Sequence, residues 1–312
     1  MTSNLLHINM TKCCYMHFTP LNEYDSTCAR IRPYTTENDK SQAIYINNHR
    51  ITKVKETKFL GVIIDEKLNW HAHIDYLSKK LRSITGVIKR IRLSVPRNSY
   101  KTIYSALFES HLSYGITVWG GANKTKINKL FILQKHCIRI LFGDLEAYLD
   151  NFCTCARVRE FGKQKLTSTF YTKEHTKPLF NNLQLMTVQN LYNYYCVLEI
   201  FKIIKFATPI ALHNLINLST LGTKTTIITP PPSSHFLYRS SKLWNTVSTN
   251  LIKYNKGLEI SLSFVKQRLK EITLLAQSLH DPKEWYDVNF ELLNLKKVEQ
   301  ISRGEGLYLS AV

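Results

Sequence analysis

FLGVIIDEKLNWHAHIDYLSKKLRSITGVIKRIR, residues 59–92, changes its period part-way along. Phe59 to Ile64 is a short apolar, β-branched run of the kind that forms a strand. From Asn69 onward the apolar positions are Ile74, Leu77, Leu81, Ile84, Ile88 and Ile91, at steps of three and four, which is the stripe of an amphipathic helix. Its outer face carries Lys79, Lys80, Arg82, Lys89, Arg90 and Arg92. Pro96 ends it, because proline lacks the backbone donor and disfavours helix in the residue before it. The stretch therefore marks a change from strands to helices.

Upstream, the first 65 residues are predicted to form strands and turns. LLHINM and CCYMHF bracket Thr11 and Lys12, and AIYI, Asn47-Asn48 and RITKV form a hairpin pattern. Downstream, Tyr100, Ile103, Tyr104, Leu107, Phe108 and His111 predict a second helix. Ile127, Leu130, Gln134, Cys137 and Leu141 predict a third, capped by Asn123. Residues 144–186 are polar and without a clean period, and are expected to be a linker with one short helix. Thr187 to Phe206 is helical by pattern, Pro230-Pro231-Pro232 breaks the chain, and a final helix is expected from about Leu262 to Ser278. The expected fold class is α+β: small antiparallel strands over 1–68, a basic helical region over 69–143, and a C-terminal helical region over 187–312.

The charge is concentrated. Residues 79–139 hold 13 basic side chains and a single acidic one, Glu109, and so account for most of the net +19. A solvated helix face normally mixes signs in i,i+4 pairs, and this segment has given that pairing up. A polyanion is the expected partner, which makes nucleic acid the first to consider. Binding of that kind is sequence-nonspecific and serves RNA or DNA alike. The seven cysteines have no regular spacing, which fits reduced thiols in the cytoplasm or nucleus. No apolar run is long enough to span a membrane, and no secretory leader is evident.

Phe59-Leu60-Gly61-Val62, two residues, Asp65, two residues, Leu68, one residue, Trp70, two residues, His73-Ile74 resembles the junction of palm and thumb in the reverse transcriptases of non-LTR retrotransposons, the jockey-like group especially. Leu112, Tyr114, Trp119 and Gly120, then Leu133-Gln134-Lys135 with Arg139-Ile140, resemble the thumb helices of the same family. Leu243-Trp244-Asn245 resembles its C-terminal region. Asn9 with Thr11-Lys12 and Met16-His17-Phe18 resembles its last palm strands. The resemblance implies the end of a palm at 1–68, a thumb at 69–143, and RNA-directed DNA polymerisation, with Mg²⁺, as the activity of the intact enzyme. It implies that Phe59, Leu60 and Gly61 correspond to the primer grip, and Lys12 to a lysine that protonates the pyrophosphate leaving group.

The metal-holding residues of that family are a different matter. It holds two Mg²⁺ ions on an aspartate from an early strand and an Ala-Asp-Asp hairpin, yet the eight aspartates of this chain include no adjacent pair. Two-metal phosphoryl transfer requires such carboxylates. The chain is therefore expected to be the C-terminal part of a reverse transcriptase, with the catalytic hairpin lying before residue 1 in a missing N-terminal part. It is expected to bind template-primer through Lys79, Lys80, Arg82, Lys89, Arg90 and Arg92, to hold no cofactor, and not to polymerise alone. The rival reading is a non-catalytic helical module that binds proteins through 187–275. His71, His73, Cys153 and Cys155 lack the paired spacing of a zinc site. Tyr192, Tyr194 and Tyr195 could stack on bases, but tyrosines at such spacing more often pack in a core.

Overall fold

A computed structural model describes residues 9, 12–18, 44–46, 48–92, 94–142, 176–221, 224–229, 236–252 and 261–279. The strand expected over LLHINM, most of the 144–186 linker, Cys153, Cys155 and the Pro230–Pro232 break lie outside them. The chain divides into two compact units, Met1–Tyr76 and Leu77–Val312.

The first unit contains three pairs of short strands. β1 (Cys14–Tyr15) pairs with β4 (Thr52–Lys53), and β2 (Tyr45–Ile46) pairs with β3 (His49–Arg50) as the expected hairpin. β1 and β4 run parallel, so the expectation of purely antiparallel strands fails there. β4 leaves the hairpin at Ile51, a buried residue, and turns to a partner from the start of the chain. The run read as one strand, Phe59 to Ile64, is the end of one strand, a turn and the beginning of another. β5 (Glu56–Phe59) and β6 (Val62–Asp65) are antiparallel, with Phe59 opposite Val62 and Leu60-Gly61 as the turn. Both turn residues have positive φ, 45° and 84°, as a two-residue primed turn demands.

α1 (His71–Ile91) opens in the first unit and carries the rest of its length in the second. Then follow α2 (Tyr100–Ile103), a π-helical turn (Tyr104–Glu109) and α3 (Ser110–Ser113). Tyr100, Tyr104, Phe108 and Leu112 are all buried, at strict steps of four. A regular α-helix turns 40° too far every four residues, so this stripe would wander off the core; the wider π turn holds it in line. α4 (Ile116–Trp119) starts after Gly115, whose φ is 61°. α5 (Lys124–Phe142) is capped by Asn123, whose Oδ1 accepts the Thr125 N–H at 2.9 Å. All five residues predicted for the inner face of α5 are buried.

α6 (Lys177–Asn182) is a short helix within the span read as a linker with one short helix, and Phe180, Leu185 and Met186 are buried. α7 (Val188–Phe206) is the hub. It is capped by Thr187, is buried on most of its circumference, and packs against α3, α4, α5, α9 (Phe236–Ile252) and α10 (Leu262–Leu279). α8 (Ile210–His213) and a hairpin, β7 (Leu218–Leu221) with β8 (Lys224–Ile227), lie between α7 and α9. The expected C-terminal helical region, 187–312, thus also contains a strand pair that the sequence reading did not include; its Thr-rich, β-branched sequence was the available signal.

Two buried glutamines hold the centre. Gln134 of α5 donates to the Tyr104 hydroxyl at 2.8 Å and to the Met186 carbonyl at 2.9 Å, and accepts from Val188 N–H at 3.0 Å. Gln277 of α10 donates to the Leu185 carbonyl at 3.0 Å and accepts from Thr187 N–H at 3.2 Å and the Asn190 amide at 2.8 Å. The extended segment 185–188 thus has its backbone groups satisfied by side chains where a sheet would use neighbouring strands, as buried polar groups require.

Candidate nucleic-acid interface

The spacing of residues around Asp65 has a mechanical explanation. Its Oδ1 accepts from Lys67 N–H at 3.1 Å and Asn69 N–H at 3.2 Å, and its Oδ2 from Trp70 N–H at 2.8 Å. Asn69 Oδ1 accepts from His71 N–H at 3.1 Å. These bonds hold Leu68 and Trp70 in the left-handed region, at φ 51° and 63°, and satisfy donors at the start of α1. His73, buried in the first turn of α1, accepts the Ile63 N–H on its Nδ1 at 3.3 Å. Burial lowers its pKa to about 4, which keeps that nitrogen unprotonated. Lys58 of β5 donates to the Tyr76 hydroxyl at 3.3 Å. Asp65, His73 and Lys58 together fasten the β5–β6 hairpin to the beginning of α1.

The tip of that hairpin faces solvent. Phe59 is 60% exposed and Leu60 74%. A leucine with positive φ is strained, typically by about 1–2 kcal/mol, and here its side chain gains no burial in return. Lys12 lies at the surface in a single turn closed by its own N–H to the Asn9 carbonyl, ahead of β1.

α1 displays Lys79, Lys80, Arg82, Lys89 and Arg90 to solvent while Leu77, Leu81 and Ile88 are buried on its other side. Gly86 sits among the cations on the exposed face, and a Cβ there would meet nothing within 4 Å. Arg92 differs from the other five. Its guanidinium donates to the Ile140 carbonyl at the end of α5, and its own carbonyl accepts from the Tyr100 hydroxyl at 2.8 Å. Arg92 is half-buried and bridges α1 to the end of α5 through these bonds. Further along the basic segment, Arg139 is half-buried, and Lys135 lies 4.5 Å over the Phe131 ring; burial lowers both pKa values.

Lys80 lies near His111 of α3, and burial together with that charge lowers the His111 pKa. The one carboxylate of the 79–139 segment, Glu109, accepts from Ser105 Oγ at 2.7 Å, and its charge adds to the burial that raises the pKa of the Tyr104 hydroxyl. On α1 itself the acid is Asp75, four residues before Lys79, and no carboxylate follows it along the helix.

Other residues singled out in the sequence turn out to build the core. Trp119 is fully buried and donates Nε1–H to the Tyr114 carbonyl at 3.0 Å. A Cβ on Gly120 would come within 2.4 Å of the Tyr192 ring, so only glycine permits the close approach of α4 to α7. Tyr192 is buried, with Arg239 5.8 Å from its ring centroid, and Tyr194 packs edge-on to Tyr195 at 5.2 Å. Trp244 packs against Phe201, and Asn245 exchanges two 2.8 Å hydrogen bonds with the Ile227 backbone.

Among the described residues no group of three or more His, Cys, Asp or Glu side chains could hold a metal ion. The Mg²⁺ implied by the resemblance does not fit the described aspartates: Asp65 already takes three backbone donors, and Asp75 belongs to no described group of three or more metal-holding side chains. No described helix is long and apolar enough to cross a membrane.

Comparison with known proteins turns on 121 residues, over which the chain is 31% identical to the RNA-directed DNA polymerase from mobile element jockey of Drosophila funebris, covering 37% of this chain and 13% of that protein. Over this stretch the chain is similar to the RNA-directed DNA polymerases of non-LTR retrotransposons. The retrovirus-related Pol polyprotein from type-1 retrotransposable element R1 of Bradysia coprophila is 26% identical over 125 residues, 39% of this chain and 12% of that protein. The probable RNA-directed DNA polymerase from transposon X-element of Drosophila melanogaster is 24% identical over 115 residues, 35% of this chain and 12% of that protein. The chain thus spans only about an eighth of these relatives' length. No family model matches, and no solved structure matches.

Proposed function

We propose that this chain supplies the C-terminal, nucleic-acid-holding part of an RNA-directed DNA polymerase, with residues 1–68 ending its palm and 69–143 forming its thumb. The observation that carries the proposal is the exposed cationic face of α1: Lys79, Lys80, Arg82, Lys89 and Arg90 on one regular helix whose opposite side is buried. A fixed row of cations neutralises phosphates without reading bases, so the ligand is RNA or DNA template-primer irrespective of sequence. The Phe59-Leu60-Gly61 tip supports a contact with the primer strand, because Phe59 and Leu60 are exposed there beside a turn whose two residues have positive φ. Lys12 keeps the family's leaving-group role only in an enzyme that brings nucleotide and Mg²⁺ to it. By itself the chain binds and does not extend.

The relatives favour this reading over the protein-interaction reading of 187–275. Leu191, Val197, Ile200, Trp244 and Leu269 are buried in the core, and the apolar side chains that remain exposed, Phe206, Ile210, Leu215 and Ile228 among them, are shown with no partner protein to fit them.

Filter binding with a duplex oligonucleotide tests the proposal. Reversing Arg82, Lys89 and Arg90 to glutamate should weaken binding by at least about 100-fold, whereas reversing the exposed Lys205, Lys242 and Lys266 should have a far smaller effect. Equal losses from the two triple variants would refute the α1 site.

A further inference from the structure

A cavity of about 260 Å³ opens where the first turns of α5 and α7 meet. Its floor is apolar, made by the buried Ile127 and Phe131 of α5 and the buried Val188 of α7. Its rim is polar and carries a carboxamide from each helix, Asn128 of α5 and Gln189 of α7, together with Thr125 and Lys124. Neither of these carboxamides has a hydrogen-bond partner among the described residues, whereas the two glutamines of the core, Gln134 and Gln277, each make three hydrogen bonds.

The walls are fixed. Gln134 bonds to the Met186 carbonyl and the Val188 N–H and so ties the start of α7 to α5, while Asn123 and Thr187 cap the two helices. A cavity that exists before its ligand arrives spares the ligand the cost of forming it. The volume lies just under the roughly 300 Å³ at which pockets for drug-sized molecules begin, which suits one flat ring system better than a helix or a peptide.

The two carboxamides select the ring. A carboxamide presents a donor and an acceptor side by side, the pattern that pairs with N6 and N7 of adenine, and an apolar floor covers the face of a base. Charge selects a nucleotide over a neutral heterocycle: α5 includes Lys124, Lys126 and Lys129 and no carboxylate, and α7 has none before Glu199, so a phosphate joined to the base meets no acid on either first turn. We infer that this cavity takes an adenine base, held by Asn128 and Gln189 over Ile127, Phe131 and Val188, either as an unpaired base of a strand or as a free nucleotide. The site goes beyond the proposed function and shares no residue with α1, whose cations meet phosphates and cannot tell one base from another.

Fluorescence anisotropy with the full chain tests it, using labelled oligoadenylate and oligouridylate of equal length, and isothermal titration calorimetry with AMP tests for the free nucleotide. Oligoadenylate should bind about tenfold more tightly than oligouridylate, and Asn128→Ala with Gln189→Ala should remove that advantage while leaving oligouridylate within about twofold. Thr125→Trp, which fills the rim from an exposed position, should do the same and guards against a local effect of the alanines. AMP binding that the double variant abolishes would extend the site to the free nucleotide; an adenylate advantage without AMP binding would assign it to a base held in a strand. Reversing Arg82, Lys89 and Arg90 to glutamate should weaken both oligonucleotides and keep the ratio between them, so that failure of the α1 face shows as unchanged affinities and failure of the cavity as a missing ratio. The adenine site is refuted if there is neither an adenylate advantage nor AMP binding, or if either one survives the double variant.

Discussion

α1 and α7 are helices of similar length, 21 and 19 residues, put to opposite uses. α1 buries one stripe and spreads cations over the rest. α7 is surrounded, with buried residues at Val188, Leu191, Tyr192, Cys196, Val197, Ile200 and Ile203 covering its circumference. Between them they separate the two demands on the molecule: α7 and its partners carry the stability, and the exposed face of α1 can be given over to a ligand. Substitutions around α7 should therefore unfold the protein, while substitutions on the outer face of α1 should change binding and spare the fold.

The largest stability effect is expected where α7 is entered. Gln277→Leu leaves the Leu185 carbonyl, the Thr187 N–H and the Asn190 amide buried without their partner, and should cost about 3–5 kcal/mol, read from urea unfolding. A loss under about 1 kcal/mol would show that the segment 185–188 does not depend on its glutamines.

Next in size is a pH effect confined to the hairpin at the start of α1. His73 has a pKa near 4 in the folded chain against an ordinary 6.5. Below pH 6.5 the unfolded hairpin takes up a proton that the folded one refuses, so stability there should fall as the pH drops toward 4, by roughly 2–3 kcal/mol in all. Exchange of the Ile63 amide, which His73 accepts, should accelerate over that range, and His73→Asn should flatten the dependence. Ile63 exchange that ignores pH beyond its intrinsic rate would remove His73 from the clamp.

The smallest effect has the opposite sign. Gly86→Ala puts a methyl group into open space on a helix interior and should stabilise by about 0.5–1 kcal/mol, a rise in melting temperature of a few degrees. Destabilisation would mean that the outer face of α1 is packed rather than displayed.

The contrast between the two helices also marks how far the sequence could be read. The stripe Ile74 to Ile91 was legible because a half-buried helix alternates its environments, and the inner face of α5 was legible for the same reason. α7 was recognised as a helix, but nothing in its periodicity told that it is surrounded, since burial on all sides erases amphipathicity. α9 was missed: Ser, Thr and Asn are poor helix formers, yet Ser240 and Thr246 bond back to the carbonyls of Phe236 and Lys242, and packing of Trp244 and Val247 outweighs propensity. At the candidate interface the five cations of α1 could be read from their spacing. Arg92 could not be told from them, because its partner is a backbone carbonyl 48 residues away. The Asp65 clamp was visible only as a motif; that its carboxylate serves three backbone donors required the structure.

The central claim is that α1 binds by neutralising phosphates, and the salt dependence of binding tests it most directly. Plotted as log affinity against log salt, the unaltered chain should give a steep straight line, about 0.7–0.9 in slope for each phosphate neutralised. The Arg82→Glu, Lys89→Glu, Arg90→Glu variant should be shallower by about 2 or more while its circular dichroism is unchanged. A variant with the same slope as the unaltered chain would contradict the account, because the phosphates would then be held elsewhere.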